Sequence, residues 1–143
     1  MFMGEYNHTI DPKNRLIVPQ KFRDQLGETF VVSAAFDKCL YLSTTEKWSE
    51  FAEQLSQLPA SKDNRQLVRH FMKNAAECET DKAGRILIPP QLVEMAGLTK
   101  DVVLVGVGNK IEIWSKERYD EINADDNTED IAEKMSIEYN IHF

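Results

Sequence analysis

The sequence has few of the residues that mark several common classes of protein. It contains only two cysteines, Cys39 and Cys78, which lie far apart and form no Cys-x-x-Cys pair. This usage favours free thiols in a reducing compartment, with a single disulfide as the less favoured alternative. The three histidines, His8, His70 and His142, lack the spacing of a metal site. We therefore expect no metal centre.

The sequence also lacks long apolar runs and the signatures of catalysis. No run approaches the roughly 20 residues of a membrane-spanning helix. The first residues, 1–7, have neither the charged nor the apolar region of a signal peptide. No nucleophile motif, phosphate-binding loop or metal spacing is present. We expect a cytoplasmic protein with no membrane partner, no enzymatic activity, no catalytic residue, no cofactor and no small-molecule substrate.

Positive charge is scarce only at the C-terminal end. The net charge is −7, and residues 117–143 account for all of it, with nine acidic residues against Arg118 and Lys134. The remaining residues are electrically neutral as a set, so any basic surface must be local.

What the chain does have is one stretch present twice. Both copies read Asp-x-x-x-Arg, then three apolar residues and a proline, and they begin at Asp11 and Asp81. Each position in the second copy follows its counterpart by 70 residues, as Arg85 follows Arg15. A repeated unit of this kind indicates a pseudo-twofold fold made from two internal repeats.

Each repeat predicts the same order of elements: strand, Asp-x-x-x-Arg turn, strand, short helix, hairpin and helix. Turn chemistry marks the repeated stretch, because Asn14 and its counterpart Gly84 both tolerate a left-handed backbone. We therefore expect each copy to form a β-hairpin with this turn at its tip. The predicted strands are 4–10, 16–18, 30–34, 39–42, 86–88, 102–107 and 110–114, and Cys78 also lies in an alternating strand pattern. We expect the strands 16–18 and 86–88 to be buried.

Helix signals complete the predicted architecture. The short helices begin at Pro19 and Pro89 and end at glycines. A capping box at 43–46 opens a longer helix, and a further helix runs over 63–74 with Leu67, Phe71 and Met72 facing inward. A last amphipathic helix carries Ile131, Met135 and Tyr139.

The repeated turns also predict a function. Arg15 and Arg85, with Lys13 and Lys82 beside them, place cations on two rigid turns that can reach phosphates or base edges of double-stranded DNA. Asp11 and Asp81, with Asn14 and Gly84, are the residues expected to organise the turns. For a single copy, a purely structural ion pair is the better interpretation, but the duplication of charge and spacing favours DNA binding.

These paired motifs resemble the MraZ family of bacterial regulators over nearly the whole chain. The resemblance extends to the start at 1–6, to Leu104-Val105-Gly106 and to Glu112-Ile113-Trp114-Ser115. Asn14 departs from the family's usual glycine in the first turn.

The resemblance implies a mixed α+β fold: a pseudo-twofold double-split β-barrel of the AbrB, swapped-hairpin type, built from two repeats and flanked by helices. It divides the chain into a first repeat (1–57), a helical connection (58–75), a second repeat (76–123) and an acidic C-terminal helix (124–143). It also implies a transcriptional regulator that forms rings of protomers at the nucleoid. Such rings bind repeated DNA boxes upstream of the division and cell-wall gene cluster, including the regulator's own gene, through the turn arginines.

Two alternatives stay open. The first is an AbrB-related, antitoxin-like scaffold whose main partner is another protein. The second is a different DNA-binding face: four cations, Lys62, Arg65, Arg69 and Lys73, form a stripe on one side of the second long helix. A solvated helix face explains that stripe better than DNA binding does.

Overall fold

The computed structural model describes residues 1–143 as a mixed α+β fold with eight strands and six helices. The strands are β1 (Phe2–Thr9), β2 (Arg15–Ile17), β3 (Thr29–Ala34), β4 (Leu40–Thr44), β5 (Ala75–Glu79), β6 (Arg85–Leu87), β7 (Asp101–Gly108) and β8 (Ile111–Ser115). The helices are α1 (Gln20–Leu26), α2 (Thr45–Ser56), α3 (Lys62–Lys73), α4 (Pro90–Met95), α5 (Lys116–Ile122) and α6 (Thr128–Tyr139).

Six strands form one antiparallel sheet in the order β1-β7-β8-β4-β3-β5, and β2 and β6 form a separate two-stranded sheet. The large sheet is open, because no pairing joins β1 to β5 at its two edges. Closure into a double-split barrel is therefore not confirmed, whereas the mixed α+β class is.

The strands that flank each turn do not form the predicted hairpins. β1 pairs along its whole length with β7 of the second repeat, and β5 of the second repeat pairs with β3 of the first. Between β1 and β2 only an isolated bridge, Ile10 with Leu16, is present. The repeats thus exchange strands. The hairpin prediction was wrong because alternating polarity shows which face of a strand is buried but not which strand it pairs with.

The core lies between the large sheet, the two-stranded sheet and the short helices α1 and α4. Leu16 and Ile86 are fully covered at its centre, and Phe22 of α1 packs edge-on against Phe2 and Tyr6. Both repeats contribute to a single cluster of 20 buried residues. The two repeats consequently share one core.

The longer helices differ in detail from their predictions. Thr44, one residue beyond the predicted cap, begins α2 by accepting a 3.1 Å hydrogen bond from Lys47 N, so the residue at the capping-box glutamate position is a lysine. The capping-box prediction was wrong by one residue: β4 continues through Thr44, and the helix begins only after it.

α3 buries no side chain completely, and Leu67 and Met72 are exposed, contrary to the prediction. α3 instead contacts α2 through aromatic rings, with Phe71 and Phe51 centroids 5.0 Å apart. Cys39 and Cys78 are both free thiols.

Candidate nucleic-acid interface

The two Asp-x-x-x-Arg turns have the same internal hydrogen bonds. Asp11 Oδ1 accepts from the backbone N–H groups of Lys13 and Arg15, each at 2.9 Å, and its Oδ2 accepts from Arg15 Nε at 2.7 Å. Asp81 does the same with Ala83 N at 2.9 Å, Arg85 N at 3.0 Å and Arg85 Nε at 2.8 Å. Each aspartate therefore holds both the turn backbone and the arginine side chain.

These bonds also fix the charge of the aspartates. The backbone hydrogen bond from Arg15 lowers the pKa of Asp11 below its ordinary value of 3.8, and the Arg15 side chain lowers it further, while partial desolvation opposes them. The pKa of Asp81 is lowered in the same way by Arg85. Both carboxylates are consequently ionised near neutral pH and keep their arginines oriented.

A left-handed residue closes each turn. Asn14 has φ 62° and Gly84 has φ 80°, as the sequence predicted. The carbonyls of these same two residues then join the turns to each other: Val18 N donates to Gly84 O, and Ile88 N donates to Asn14 O, both at 2.9 Å. The turns are therefore not separate tips; they form one element with approximate twofold symmetry.

The strands that leave the turns continue this element as a two-stranded ribbon, β2–β6. Arg15 pairs with Leu87, Leu16 with Ile86, and Ile17 with Arg85. Because side chains alternate along a strand, Leu16 and Ile86 enter the core while the other four side chains share the outer face. The outer face of the ribbon thus carries both arginines together with Ile17 and Leu87, which are 41% and 63% exposed.

The arginines are partly exposed, at 35% for the Arg15 side chain and 33% for Arg85. In each, Nε is the only side-chain nitrogen that hydrogen-bonds within the chain, so both terminal Nη groups remain free to donate outward. A guanidinium held by one edge and open at the other can donate two parallel hydrogen bonds to a single acceptor pair.

The lysines occupy different positions in the two turns. Lys13 supplies a backbone N–H to Asp11, whereas in the second turn Ala83 does so and Lys82 precedes it. Both lysines are exposed. The structure therefore brings together the site residues inferred from the sequence, with the cations distributed unequally around the ribbon.

Sequence reasoning missed three residues of this region. Ile17 and Leu87 were assigned to buried strands, since three successive apolar residues do not reveal that the middle one faces outward. Arg23 of α1 was not singled out, although its guanidinium covers Gly84 of the other repeat. No local pattern could indicate that contact, because it joins residues of opposite repeats.

The alternative basic stripe on α3 has no comparable organisation. Lys62, Arg65, Arg69 and Lys73 are all exposed, and none forms an ion pair within the chain. No aspartate orients these side chains, which form a row of solvent-exposed charges on one helix face.

An aromatic patch lies elsewhere, between α2, α3 and the β3–β4 turn. Phe36, which is 72% exposed, stacks on His70 and meets Phe71 edge-on, and Trp48 contacts Phe51. Lys47 and Lys110 stand at the margin of the groove formed by this patch. This aromatic groove is remote in sequence from the ribbon.

The chain contains no cluster of three or more His, Cys, Asp or Glu side chains able to hold a metal ion. None of its helices combines the length and the apolar character required to cross a membrane.

Comparison with known proteins decides the family. Residues 1–70 and 71–137 each match the family described as "MraZ protein, putative antitoxin-like". A transcriptional regulator MraZ of Lachnoclostridium phytofermentans is 59% identical over 143 residues, covering 100% of both chains. The chain belongs to the MraZ family.

Other MraZ relatives are nearly as complete. Proteins of the same name from Ligilactobacillus salivarius and Clostridium tetani are 52% and 49% identical over 138 residues, covering 94% and 95% of this chain and 96% and 97% of theirs. These relatives are named as regulators and not as enzymes. Each of the two matched segments of this chain holds one Asp-x-x-x-Arg turn. The ribbon takes one strand from each segment, so it needs both segments.

Proposed function

We propose that this protein is a sequence-specific regulator that binds double-stranded DNA through the outer face of the β2–β6 ribbon. The carrying observation is that Arg15 and Arg85 lie on one exposed face, each fixed by an aspartate with its Nη groups free. The relatives' name, transcriptional regulator, supports the same function.

The dimensions of DNA fit this element. The major groove, about 12 Å wide, admits a two-stranded β-ribbon, and arginine donating to O6 and N7 of guanine is the commonest specific contact there. Ile17 and Leu87 lie beside the arginines, where apolar side chains can contact thymine methyl groups. Lys13 and Lys82 flank the ribbon and would neutralise phosphates, which position the protein without reading sequence.

Assembly forms part of the proposal. The body of the chain is neutral and the C-terminal segment is acidic, so one protomer would neutralise few phosphates and bind weakly at physiological salt. Linking protomers raises the effective affinity by roughly 10²–10⁴. We therefore propose a ring of protomers, acting at the nucleoid in the cytoplasm, on repeated boxes upstream of the division and cell-wall gene cluster and its own gene.

Two surfaces suit contact between copies. α6 buries none of its side chains, and it presents Ile131 and Tyr139 among acidic residues. The aromatic groove offers exposed rings with Lys47 and Lys110 at its margin. The α6 helix of one copy would occupy the groove of the next, and such a head-to-tail contact forms a ring when its rotation closes.

The organisation of the chain is proposed on the same basis. We propose that it divides into repeats 1–57 and 76–123, a connection 58–75 and an acidic helix 124–143. The double-split barrel arrangement of the repeats also remains a proposal.

The test is a gel-shift titration with the protein's own upstream DNA, alongside measurement of particle mass. Arg15→Ala and Arg85→Ala should each weaken specific binding by about 1–3 kcal/mol without affecting folding. Charge reversal at Arg65 and Arg69 is the matched control and should do less harm. Unchanged affinity in a folded Arg15→Ala, Arg85→Ala double variant would refute the ribbon as the DNA-binding face.

A second candidate function is a scaffold or antitoxin-like role in which the aromatic groove binds another protein. The exposure of Phe36 and the family description favour this candidate. It predicts that the double arginine variant keeps its biological partner, whereas Phe36→Ser with Phe71→Ser loses it.

The assembly part of the proposal has its own test. Folded monomers that bind a multi-box site as tightly as the assembled wild type would exclude avidity.

A further inference from the structure

The ribbon is symmetric in its backbone but not in the helices beside it. Arg23 lies in α1 of the first repeat, and the position 70 residues later, in α4, is Val93. The left-handed positions of the turns differ as well, with Asn14 in the first turn and Gly84 in the second. These two differences are physically linked.

Arg23 crosses from the first repeat to cover the second turn. A Cβ atom at Gly84 would collide with Arg23 Nη1 and lie 2.5 Å from Cζ. Only a residue without a side chain therefore leaves room for the guanidinium. Asn14 has a Cβ at the equivalent place, and the residue equivalent to Arg23 is the shorter, uncharged Val93.

The charge of Arg23 is not neutralised within the chain. Its Nη2 donates to Gln20 Oε1 at 2.6 Å, and its Nε is buried without a partner. No carboxylate forms a salt bridge with it, because Gln20 rather than Arg23 bonds to the neighbouring Asp24. A guanidinium held in place with Nη1 unpaired retains donor capacity for an external acceptor.

The surroundings of the two turns consequently differ in charge. Three cations, Arg23, Lys82 and Arg85, surround the second turn, against two, Lys13 and Arg15, at the first. Each turn has one ionised aspartate that offsets its own arginine.

We propose that Arg23 is a further DNA-contacting cation, one that binds a backbone phosphate beside the second turn only. The two halves of the ribbon then make unequal contacts, and the protein recognises the two halves of its DNA site differently. This inference rests on the proposed DNA-binding function of the ribbon. We assign the external acceptor as a phosphate oxygen because the unpaired Nη1 of Arg23 flanks the base-reading ribbon, and residues that flank a base-reading element contact the DNA backbone.

The competing explanation is that Arg23 only braces the second turn. Salt dependence distinguishes a phosphate contact from a brace. Removing one phosphate contact makes the slope of log K against log salt less steep by about 0.9, whereas a loosened turn lowers the affinity without changing the slope. Arg23→Val installs the residue of the equivalent position. Arg23→Lys keeps the charge, and Lys21→Ala removes a cation that points away, about 200° around the same helix.

The experiment is a titration of the full-length protein with duplex DNA from its own upstream region at several salt concentrations. Thermal unfolding of every variant is measured in parallel. We expect Arg23→Val to reduce the slope by about one per bound protomer, and Arg23→Lys and Lys21→Ala to retain the wild-type slope. Gly84→Asn, which displaces the guanidinium, should reproduce this reduction, and adding it to Arg23→Val should reduce the slope no further.

A folded Arg23→Val protein with the wild-type slope would overturn the inference, whatever its affinity. So would an Arg23→Lys protein whose slope falls as that of Arg23→Val does. Failure of the proposed function looks different: the Arg15→Ala, Arg85→Ala protein would bind the DNA as the wild type does.

Discussion

Gly106 lies at a close backbone approach between β1 and β7, the pair of strands exchanged between the two repeats. It lies in β7 opposite Gly4 of β1, and a Cβ at this position would lie 2.5 Å from the carbonyl carbon of Phe2 and 2.8 Å from Met3 Cα. Both atoms belong to the backbone of β1, which cannot rotate away. Met3 N lies closer still to that Cβ, so reaching an ordinary contact of 3.4 Å requires β1 to retreat by more than 0.9 Å, the difference between 3.4 Å and the 2.5 Å to Phe2.

The cost of Gly106→Ala follows from what that retreat breaks. Two or three ladder hydrogen bonds near Phe2 are broken or weakened, at about 0.5–1.5 kcal/mol each. In the wild type Phe2 is buried against Phe22. The retreat of β1 would expose it partly, and full exposure would cost about 1.5–3 kcal/mol. Alanine recovers about 0.5–1 kcal/mol of chain entropy relative to glycine. We expect the free energy of unfolding to fall by about 2–4 kcal/mol.

Gly27→Ala is the matched control. Gly27 has φ 86° and no atom within 4 Å of the added Cβ, so its cost is backbone strain alone, about 1–2 kcal/mol. Urea unfolding followed by circular dichroism, at one protein concentration because assembly also stabilises, gives both values. A Gly106→Ala protein no less stable than Gly27→Ala would refute the argument that β1 is held against β7 by close backbone approach.

Two further predictions concern the turns. Because the pKa values of Asp11 and Asp81 are lowered in the folded protein, their hydrogen bonds stabilise the fold fully above pH 3.8, the ordinary value. This contribution is lost as the pH falls through the lower folded-state pKa. The stability difference between the wild type and an Asp11→Asn, Asp81→Asn protein, measured by denaturant titration, should therefore be constant at neutral pH and shrink only below pH 3.8. Asn14→Gly relieves a left-handed asparagine but adds freedom to the unfolded chain, so its thermal midpoint should be unchanged or slightly raised, and a clear fall would show that the Asn14 side chain contributes to the turn.

Several of these features were predictable from the sequence because they are local. The aspartate at the start of each turn and the left-handed position at Asn14 and Gly84 depend on residues within five positions of one another, and the repeat is visible as the same local pattern written twice. Helix boundaries at Pro19 and Pro89 were predictable for the same reason, since proline fixes its own backbone and that of its neighbour.

Pairing between distant strands was decided by the tertiary structure. Polar alternation indicated strands at β1 and β5, but their partners lie in the opposite repeat. The same exchange brings the two turns together as one ribbon, which two independent hairpins would have kept apart. Leu87 was predicted to be buried and is exposed because it alternates with the buried Ile86 and so lies on the outer face of the ribbon.

The sequence by itself thus determined the chemistry of each turn: an aspartate that binds its own arginine through a backbone of fixed handedness. The tertiary structure decided that both arginines share a face and that Arg23 of one repeat lies on Gly84 of the other. The physical reason is range: a turn is specified by interactions among neighbours in the chain, whereas the packing of one repeat against the other depends on which long-range pairing buries the most apolar surface.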